Sequence, residues 1–452
     1  MFGTSGIRGA VGDDVTADLA LAIGRAVATE GYERVVVGRD VRESGNVLVD
    51  ALTAGLRECG SDVLEAGVAP TPTIARAVDW FDADAGVIVT ASHNPKTDNG
   101  IKLWSAGGTA FDPDQCDEIS TRIELEEYDV QAWDGHGSIE RAQGVLERHA
   151  SELIRSVSID EPPSVVVDVG NGTGSITARV LSELGCAVET LNGQQDGRFP
   201  GRPSEPTRET LSTLSTVVAE TDAQLGIAHD GDADRTVAVD ETGSFVPKDV
   251  LLALFARDAA TATKGDLVAA PVDTSLAVDD ALESVGASVT RTRVGDVFVA
   301  NRTTRPDVVF GGEPSGAWIW PDEALCPDGP LAACKLVELV ADRSGEGLSA
   351  LVGEIDTYPI RRTSIDVEQK NAVMERVRDR VVDQYDDVDT LDGVYVDNDD
   401  GWILIRASGT EPVIRVTAEA RSGSRTDQLF DDAVDLVDKS VSSPDAIEQS
   451  LR

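Results

Sequence analysis

An apolar, strand-like run that ends in a turn occurs three times in this chain, and each copy opens the same kind of unit. The runs are RVVVGRD from residue 34, SVVVDVGNG from residue 164 and DLVAAPVD from residue 266. Each continues into a helical pattern that closes on a glycine, a residue suited to the left-handed backbone at helix ends. A second strand follows, and then a third: DAGVIVTASHNP (84–95), DAQLGIAHDGDADR (222–235) and RPDVVFGGEPSG (305–316).

Strands that alternate with helices predict an α/β fold, in which a mostly parallel sheet is covered by helices on both faces. Function in such sheets gathers at the carboxyl ends of the strands. Ser92, the aspartates at 230–234 and Glu313 follow the third strand of their respective units. If the units pack around one cleft, we expect these side chains to face each other.

The pattern changes after about residue 355. An amphipathic helix at about 368–384 precedes GVYV, the turn DNDDG, WILIRAS and PVIRVTAEA, and a last helix lies near 425–440. This arrangement predicts a hairpin-rich α+β unit. We therefore expect three similar α/β domains at 1–150, 151–250 and 251–355, and an α+β domain at 356–452, around a central cleft.

The charge of the chain is strongly negative, with 81 acidic and 39 basic residues and a net charge of −42. Such a balance argues against nucleic acid as a partner. An anionic substrate would have to be attracted by a local basic cluster. The acids are spread along the whole chain rather than gathered in a tail, and this pattern indicates a halophilic, archaeal protein whose self-repulsion is screened by salt.

Neither membrane insertion nor secretion is indicated. The longest apolar run, VLLALFA (250–256), is far shorter than the ~20 residues that cross a bilayer. FGTSGIRG follows Met1 without the pattern of a signal peptide. The five cysteines show no zinc-binding spacing and no C-x-x-C pair, which indicates reduced thiols. We therefore expect a cytoplasmic protein.

The segment HDGDADR (229–235) places Asp230, Asp232 and Asp234 at alternate positions directly after an apolar strand. A tight loop with this spacing can direct three carboxylates at one hard cation such as Mg²⁺, although a solvated acidic turn has the same composition. A calcium loop of the EF-hand type is excluded because Arg235 stands where that loop requires glycine.

Four further segments carry candidate binding groups. RASGTEPVIR (406–415) joins two arginines to a small-residue turn, which suits phosphate but also fits an ordinary hairpin. FGTSGIRG (2–9) places Arg8 between glycines, and GGEPSG offers Glu313 and Ser315 for sugar hydroxyls. TASHNPKTDNGIK (90–102) fits either a polar loop or a reactive serine.

A competing interpretation concerns VVVDVGNGTGSITARVL (165–181), a strand, a glycine-rich turn and a helix, with Glu189 ending the next strand. This layout suits the nucleotide of a methyl donor in a methyltransferase. It accounts for one unit only and leaves the other motifs without a role.

The motifs TASHNP, DGDADR, GGEPSG and RASGTEP, in this order behind FGTSGIRG, resemble those of the α-D-phosphohexomutases over essentially the whole chain. The resemblance implies that Ser92 is phosphorylated and joins Asp230, Asp232 and Asp234 around Mg²⁺. A hexose or hexosamine 1,6-bisphosphate would be the intermediate and activator.

The resemblance also implies roles for the remaining candidates. Lys102 would act as acid–base or charge partner, with His93, Arg8 and Arg235 beside the phosphoryl group. Glu313 and Ser315 would read the sugar hydroxyls. The phosphate that is not transferred would be held by Arg406, Ser408, Gly409, Thr410 and Arg415.

The sugar is suggested by two segments, SGTEP and VGD (294–296), which resemble the branch acting on glucosamine phosphate. Relatives acting on mannose or glucose phosphates often carry lysine and histidine in place of Asp273 and Asp296. We therefore expect interconversion of glucosamine 6-phosphate and glucosamine 1-phosphate. The alternatives are a phosphomannomutase/phosphoglucomutase and, more remotely, a non-catalytic sugar-phosphate binder.

Overall fold

The computed structural model describes residues 2–3, 6–263, 265–343, 345–385, 388–398, 400–409 and 412–441. Within these residues the chain forms four successive units, each built around one sheet. None of the helices in these ranges is long and apolar enough to cross a membrane.

The first unit has a six-stranded sheet in the order β1-β5-β4-β2-β3-β6. Its strands are β1 (Ile7–Ala10), β2 (Arg34–Arg39), β3 (Asp62–Val68), β4 (Ala85–Val89), β5 (Asp98–Ser105) and β6 (Ile139–Arg141). Its helices are α1 (Ala17–Thr29), α2 (Gly45–Glu58), α3 (Thr71–Trp80), α4 (Pro113–Leu125) and α5 (Val145–Arg155). Apolar clusters cover both faces of this sheet.

The second unit has the sheet order β10-β9-β7-β8. Its elements are β7 (Ser164–Asp168), α6 (Ser175–Glu183), β8 (Ala187–Leu191), α7 (Ser212–Ala219), β9 (Leu225–His229) and β10 (Thr236–Asp240).

The third unit has the order β12-β11-β13-β14. Its elements are α8 (Lys248–Thr263), β11 (Leu267–Pro271), α9 (Leu276–Glu283), β12 (Ser288–Thr292), α10 (Asp296–Thr303), β13 (Val308–Glu313), β14 (Ala317–Ile319), α11 (Gly329–Ala341) and α12 (Leu348–Val352). One apolar core runs through the second and third units without interruption.

The fourth unit is an antiparallel sheet in the order β15-β19-β18-β17-β16, with its own core. Its elements are β15 (Ile360–Asp366), α13 (Lys370–Gln384), β16 (Val388–Asp389), β17 (Val394–Asp397), β18 (Gly401–Ala407), β19 (Val413–Ala420) and α14 (Gly423–Val441). The predicted fold class, three α/β units and one α+β unit, is confirmed.

The threefold repeat is also visible in the topology. In each of the first three sheets the first strand of the repeat lies between the second and the third, and all three run parallel. An antiparallel strand (β5, β10 or β14) pairs with the third. The glycines after the first helix of each repeat, Gly60, Gly185 and Gly286, all have positive φ, as their predicted helix-ending role requires.

Candidate active site

Ser92 lies three residues beyond β4 in a loop with an unusual backbone. Its φ is 51°, in the left-handed region, and its side chain is fully buried. The Ser92 amide donates to the hydroxyl of Thr90 at 2.9 Å. A left-handed conformation costs a non-glycine residue roughly 1–2 kcal/mol, so the surrounding structure must hold it in place.

The guanidinium of Arg42 supplies that restraint. It is completely buried and pairs with the Asp40 carboxylate at 3.0 Å. Its remaining N–H groups donate to the main-chain carbonyls of Ser92 (2.9 Å), Asn94 (2.7 Å), Pro95 (2.5 Å) and Asp98 (2.9 Å). Arg42 belongs to none of the motifs that predicted the site. The available signal was the GRDVRES segment at the end of β2, the strand beside β4.

The three aspartates that follow β9 form one cluster, as their spacing predicted. One carboxylate oxygen from each of Asp230, Asp232 and Asp234 lies within 4.8 Å of the others, and all three side chains are buried. Ala233 turns the loop with a φ of 54°. The Ser92 hydroxyl donates to Asp230 Oδ2 at 2.5 Å, so the loops after β4 and β9 meet.

The electrostatics of this cluster fit a bound divalent cation. Burial, and then the charges of Asp234 and Asp232, raise the pKa of Asp230 well above its usual value. Asp232 Oδ1 is buried and has no hydrogen-bond partner among the described residues. A hard cation would offset the repulsion and ligate the unpaired oxygen, so the donor set suits Mg²⁺.

Lys102 provides the positive charge within the cluster. Its ammonium pairs with Asp232 Oδ2 at 2.9 Å and Asp234 Oδ2 at 2.6 Å. Burial acts to lower the pKa of Lys102, but these two carboxylates outweigh it and raise the pKa above its usual value. Lys102 therefore remains cationic in this arrangement.

His93 marks an anion-attracting region beside the serine. Burial, followed by the charges of Arg235, Arg8 and Lys102, lowers the pKa of His93 to about 2. Its Nδ1 lies 3.4 Å from Ser92 Oγ. Arg8 Nε is a buried donor with no partner among the described residues. A neutral imidazole surrounded by three cationic side chains is suited to a phosphoryl group.

The predicted sugar loop, GGEPSG, begins in the last residues of β13 and lies against the segment that carries the three aspartates, called the aspartate loop below. Ser315 Oγ donates to Glu313 Oε2 at 2.8 Å. Burial, and then the charges of Asp296 and Asp273, raise the pKa of Glu313 to about 7. The amide of Thr236 donates to the carbonyl of Gly316 at 3.0 Å, which joins this loop to the aspartate loop.

The phosphate loop of the fourth unit closes the site. Arg406 and Arg415 are directly opposite each other on β18 and β19. Together with Ser408 and Gly409 they line a cavity of about 290 Å³. The same cavity is lined by Arg8, His93, Asp234, Arg235, Asp296, Glu313 and Ser315. Thr410 lies outside the described residues.

The glycine-rich turn considered as a nucleotide site packs against the aspartate loop instead. The amide of Thr173 donates to the carbonyl of Gly231 at 3.1 Å, and a Cβ on Gly172 would lie 2.5 Å from that carbonyl. Asp168 holds Arg202 at 2.7 Å, and Arg202 in turn donates to the carbonyl of His229 at 2.6 Å. The backbone that a methyl-donor nucleotide would need is occupied, so the methyltransferase interpretation is wrong.

Comparisons with known proteins agree with this geometry. Four models of the phosphoglucomutase/phosphomannomutase family match in order: alpha/beta/alpha domain I at 1–129, domain II at 147–243, domain III at 247–358 and the C-terminal domain at 364–436. A probable phosphoglucosamine mutase of Methanopyrus kandleri is 45% identical over 97% of this chain and 98% of its own. One of Methanococcoides burtonii is 44% identical over the same shares.

A solved structure of a phosphoglucomutase/phosphomannomutase family protein from Burkholderia thailandensis has a TM-score of 0.88 at 29% identity, covering 98% of this chain and 99% of that one. The match of all four domain models and the identity over nearly full lengths confirm the resemblance seen in the motifs. The chain therefore belongs to the phosphoglucomutase/phosphomannomutase family and is a phosphohexomutase, an isomerase that moves a phosphoryl group between positions of a sugar phosphate.

Proposed function

We propose that this phosphohexomutase interconverts glucosamine 6-phosphate and glucosamine 1-phosphate through a phosphoserine at Ser92 and a sugar 1,6-bisphosphate. The contact of Ser92 Oγ with Asp230 at 2.5 Å, beside the cavity lined by cationic groups, carries this proposal. A phosphate on Ser92 would lie between the aspartate cluster and the side chains of Arg8, His93 and Arg235.

Asp230, Asp232 and Asp234 would hold Mg²⁺ together with an oxygen of the Ser92 phosphate. When bound, the ion supplies neutralisation of the negative charge on the transferring phosphoryl group. The unpaired Oδ1 of Asp232 and the raised pKa of Asp230 support this assignment.

The basic residues around Ser92 position the phosphoryl group and stabilise its charge. Arg8 and Arg235 would donate to its oxygens, and Lys102 is the charge partner of Asp232 and Asp234. His93 is neutral at working pH and offers one donor or acceptor beside Ser92 Oγ. Phosphoryl transfer needs this kind of positioning and charge stabilisation more than covalent chemistry from side chains.

The other end of the sugar phosphate would rest on Arg406, Ser408, Gly409 and Arg415, with Thr410 as a further predicted contact. Bidentate arginines suit a phosphate that stays in place while the opposite end reacts. The described part of the site contains one such serine and one such set of phosphate-holding groups, called the phosphate cradle below, so the bisphosphate must turn end for end before returning a phosphate to Ser92. Glu313 and Ser315 line the same cavity as His93 and Arg406 and are suited to the ring hydroxyls.

Glucosamine phosphate is proposed as the substrate because an acidic side chain lines the cavity. Asp296 lines the cavity, where a carboxylate suits a protonated 2-amino group better than a neutral hydroxyl. The names of the archaeal relatives support the same substrate. Mannose and glucose phosphates are the second candidates because the phosphate contacts are shared by all these sugars. The five cysteines are free thiols, which supports action in the cytoplasm.

A substrate panel tests the proposal. Purified protein in high salt with Mg²⁺ is assayed with the 1-phosphates of glucosamine, glucose and mannose. We expect kcat/KM for glucosamine phosphate to exceed the other two by about 10- to 150-fold, the range for a charge-assisted contact. Equal or faster turnover of mannose phosphate would assign the protein to the alternative activity.

A further inference from the structure

Asp273, two residues beyond β11, has a carboxylate oxygen without a partner. Its Oδ1 is buried and makes no hydrogen bond with any residue in the described part of the chain. Burial raises the pKa of Asp273, and the charges of Arg406 and Arg362 oppose the shift. A buried acceptor left unsatisfied is costly, so this oxygen is suited to a donor brought by a ligand.

The position of Asp273 relates it to the phosphate cradle. It lines a cavity of about 340 Å³ together with Arg362, Leu404, Arg406 and Arg415. Arg406 and Arg415 also line the cavity of about 290 Å³ that contains His93 and Glu313, called the sugar cavity here. The two spaces therefore adjoin at the arginines that would hold the non-reacting phosphate. Asp273 therefore lies at the cradle end of the substrate site.

Asp296 lines the sugar cavity itself, together with His93 near the serine and Arg406 of the cradle. It also lines a small cavity with Lys102, the partner of Asp232 and Asp234, and it contributes to raising the pKa of Arg235. Asp296 and Asp273 both raise the pKa of Glu313. The charges of both carboxylates therefore act on Glu313, which lines the sugar cavity.

The geometry of the reaction requires a sugar to occupy both orientations. The carbon that bears the 2-amino group is bonded to C1. When O1 receives the phosphoryl group the ammonium lies at the serine end, and when O6 receives it the ammonium lies at the cradle end.

We propose that Asp273 accepts a charge-assisted hydrogen bond from the 2-ammonium group of an amino sugar whose 1-phosphate rests on Arg406 and Arg415, while Asp296 serves the opposite orientation. This inference rests on the proposed function. It makes Asp273 a specificity-determining residue for one half of the reaction, and it gives the enzyme one ammonium acceptor for each orientation.

The two half-reactions, transfer from Ser92 to O6 and transfer to O1, test the roles of Asp273 and Asp296 separately. With glucosamine 1-phosphate, the bond between Ser92 Oγ and phosphorus breaks and a bond from phosphorus to O6 forms. The hydroxyl proton of O6 leaves to Ser92 Oγ or to solvent. With glucosamine 6-phosphate the same exchange occurs at O1.

The experiment uses full-length protein labelled on Ser92 with radioactive phosphate from glucose 1,6-bisphosphate. Loss of label is followed in a single turnover with each glucosamine phosphate and each glucose phosphate. We expect Asp273→Asn to slow transfer to glucosamine 1-phosphate, relative to glucose 1-phosphate, by about tenfold or more. The corresponding ratio for the 6-phosphates should change by less than about twofold. Asp296→Asn should show the reverse pattern.

Asp249→Asn is the matched control because Asp249 Oδ1 is also buried and unpartnered among the described residues, close to Arg362, but lines neither cavity. Its glucosamine-to-glucose ratios should equal those of the wild type. If Asp273→Asn fails to fold, Asp273→Ser provides the same neutral replacement.

Two results with Asp273→Asn would contradict the inference, and both can be distinguished from a result that contradicts the proposed function. If Asp273→Asn slows amino and non-amino sugars equally, the carboxylate only supports Arg406. If it acts equally on both half-reactions, the assignment to the cradle end is wrong. A wild-type protein that takes up no label on Ser92 would instead overturn the phosphoserine function on which the inference rests.

Discussion

At the scale of single residues, the reactivity of Ser92 depends on groups that restrain it. Its left-handed backbone is unfavourable for serine, and the four carbonyl contacts of Arg42 offset that cost. The hydroxyl is thereby directed at Asp230 rather than at solvent. The strain and the buried arginine together indicate a preorganised site.

Ser92→Ala should lower turnover by more than about a thousandfold, since the phosphoryl carrier is removed. The melting temperature should change little because the substitution deletes one hydroxyl from a cleft loop. Intact mass spectrometry should find a phosphate of about 80 Da on part of the wild type and none on the variant. Thr97→Ala, which removes an exposed hydroxyl from the same loop, is the control and should stay active. A fully active Ser92→Ala protein would contradict the phosphoserine assignment.

Glu313 should make folding stability depend on pH in the ligand-free protein. Its pKa is raised to about 7 from an unfolded value of 4.5, so between these values the folded state binds more protons than the unfolded state. Its contribution to stability therefore falls as pH rises from about 4.5 to about 7. The wild type should therefore lose stability over this pH range, whereas Glu313→Gln, a neutral isostere, should not. The melting temperature of the variant should rise relative to that of the wild type as the pH increases. A constant difference between pH 5 and 8 would contradict the raised pKa.

At the scale of elements, the site is made by loops that rest on each other at the ends of β4, β9 and β13. Arg235 forms a β-bridge with Ala317, and the indole of Trp318 donates to the carbonyl of Thr236 at 2.9 Å. Thr236 Oγ1 donates to the carbonyl of Gly329, the first residue of α11, at 2.7 Å. The aspartate loop is therefore held in place by the third unit as well as by the second unit, to which it belongs.

The aspartate loop should lose its function when the metal is removed. Chelation should abolish activity and Mg²⁺ should restore it, because three buried carboxylates repel one another without a cation. Asp232→Asn should weaken Mg²⁺ binding about tenfold or more, as measured by calorimetry. Asp222→Asn, which neutralises an exposed acid before β9, should bind Mg²⁺ as the wild type does. Activity that survives exhaustive chelation would show that the cluster is only an acidic turn.

At the scale of the whole molecule, the net charge of −42 should make stability depend on salt. The Debye length falls from ~30 Å at 0.01 M to ~3 Å at 1 M, so molar salt suppresses repulsion between the acidic groups. We expect the melting temperature to rise steadily with KCl. Equal molar concentrations of sucrose serve as the control for general solute effects. A flat profile between dilute and molar KCl would contradict the halophilic interpretation.

The sequence by itself determined the repeated units, the change of architecture near residue 355 and the segments that meet in the site. These features depend on local properties: the periodicity of apolar residues, glycines at helix ends and the position of polar turns after strands. Ser92, Asp230 and Glu313 could be placed at equivalent strand ends for this reason. The spacing of the aspartates was likewise sufficient to predict their convergence.

Only the tertiary structure decided which distant groups support these residues. Arg42 reaches carbonyls that lie 50 to 56 positions later in the chain, and Thr71 donates to Asp232 across 161 positions. Asp273 of the third unit likewise shares a cavity with Arg406 and Arg415 of the fourth. Such contacts leave no local pattern, because they arise from the packing of whole units and from the burial that packing imposes on charged groups.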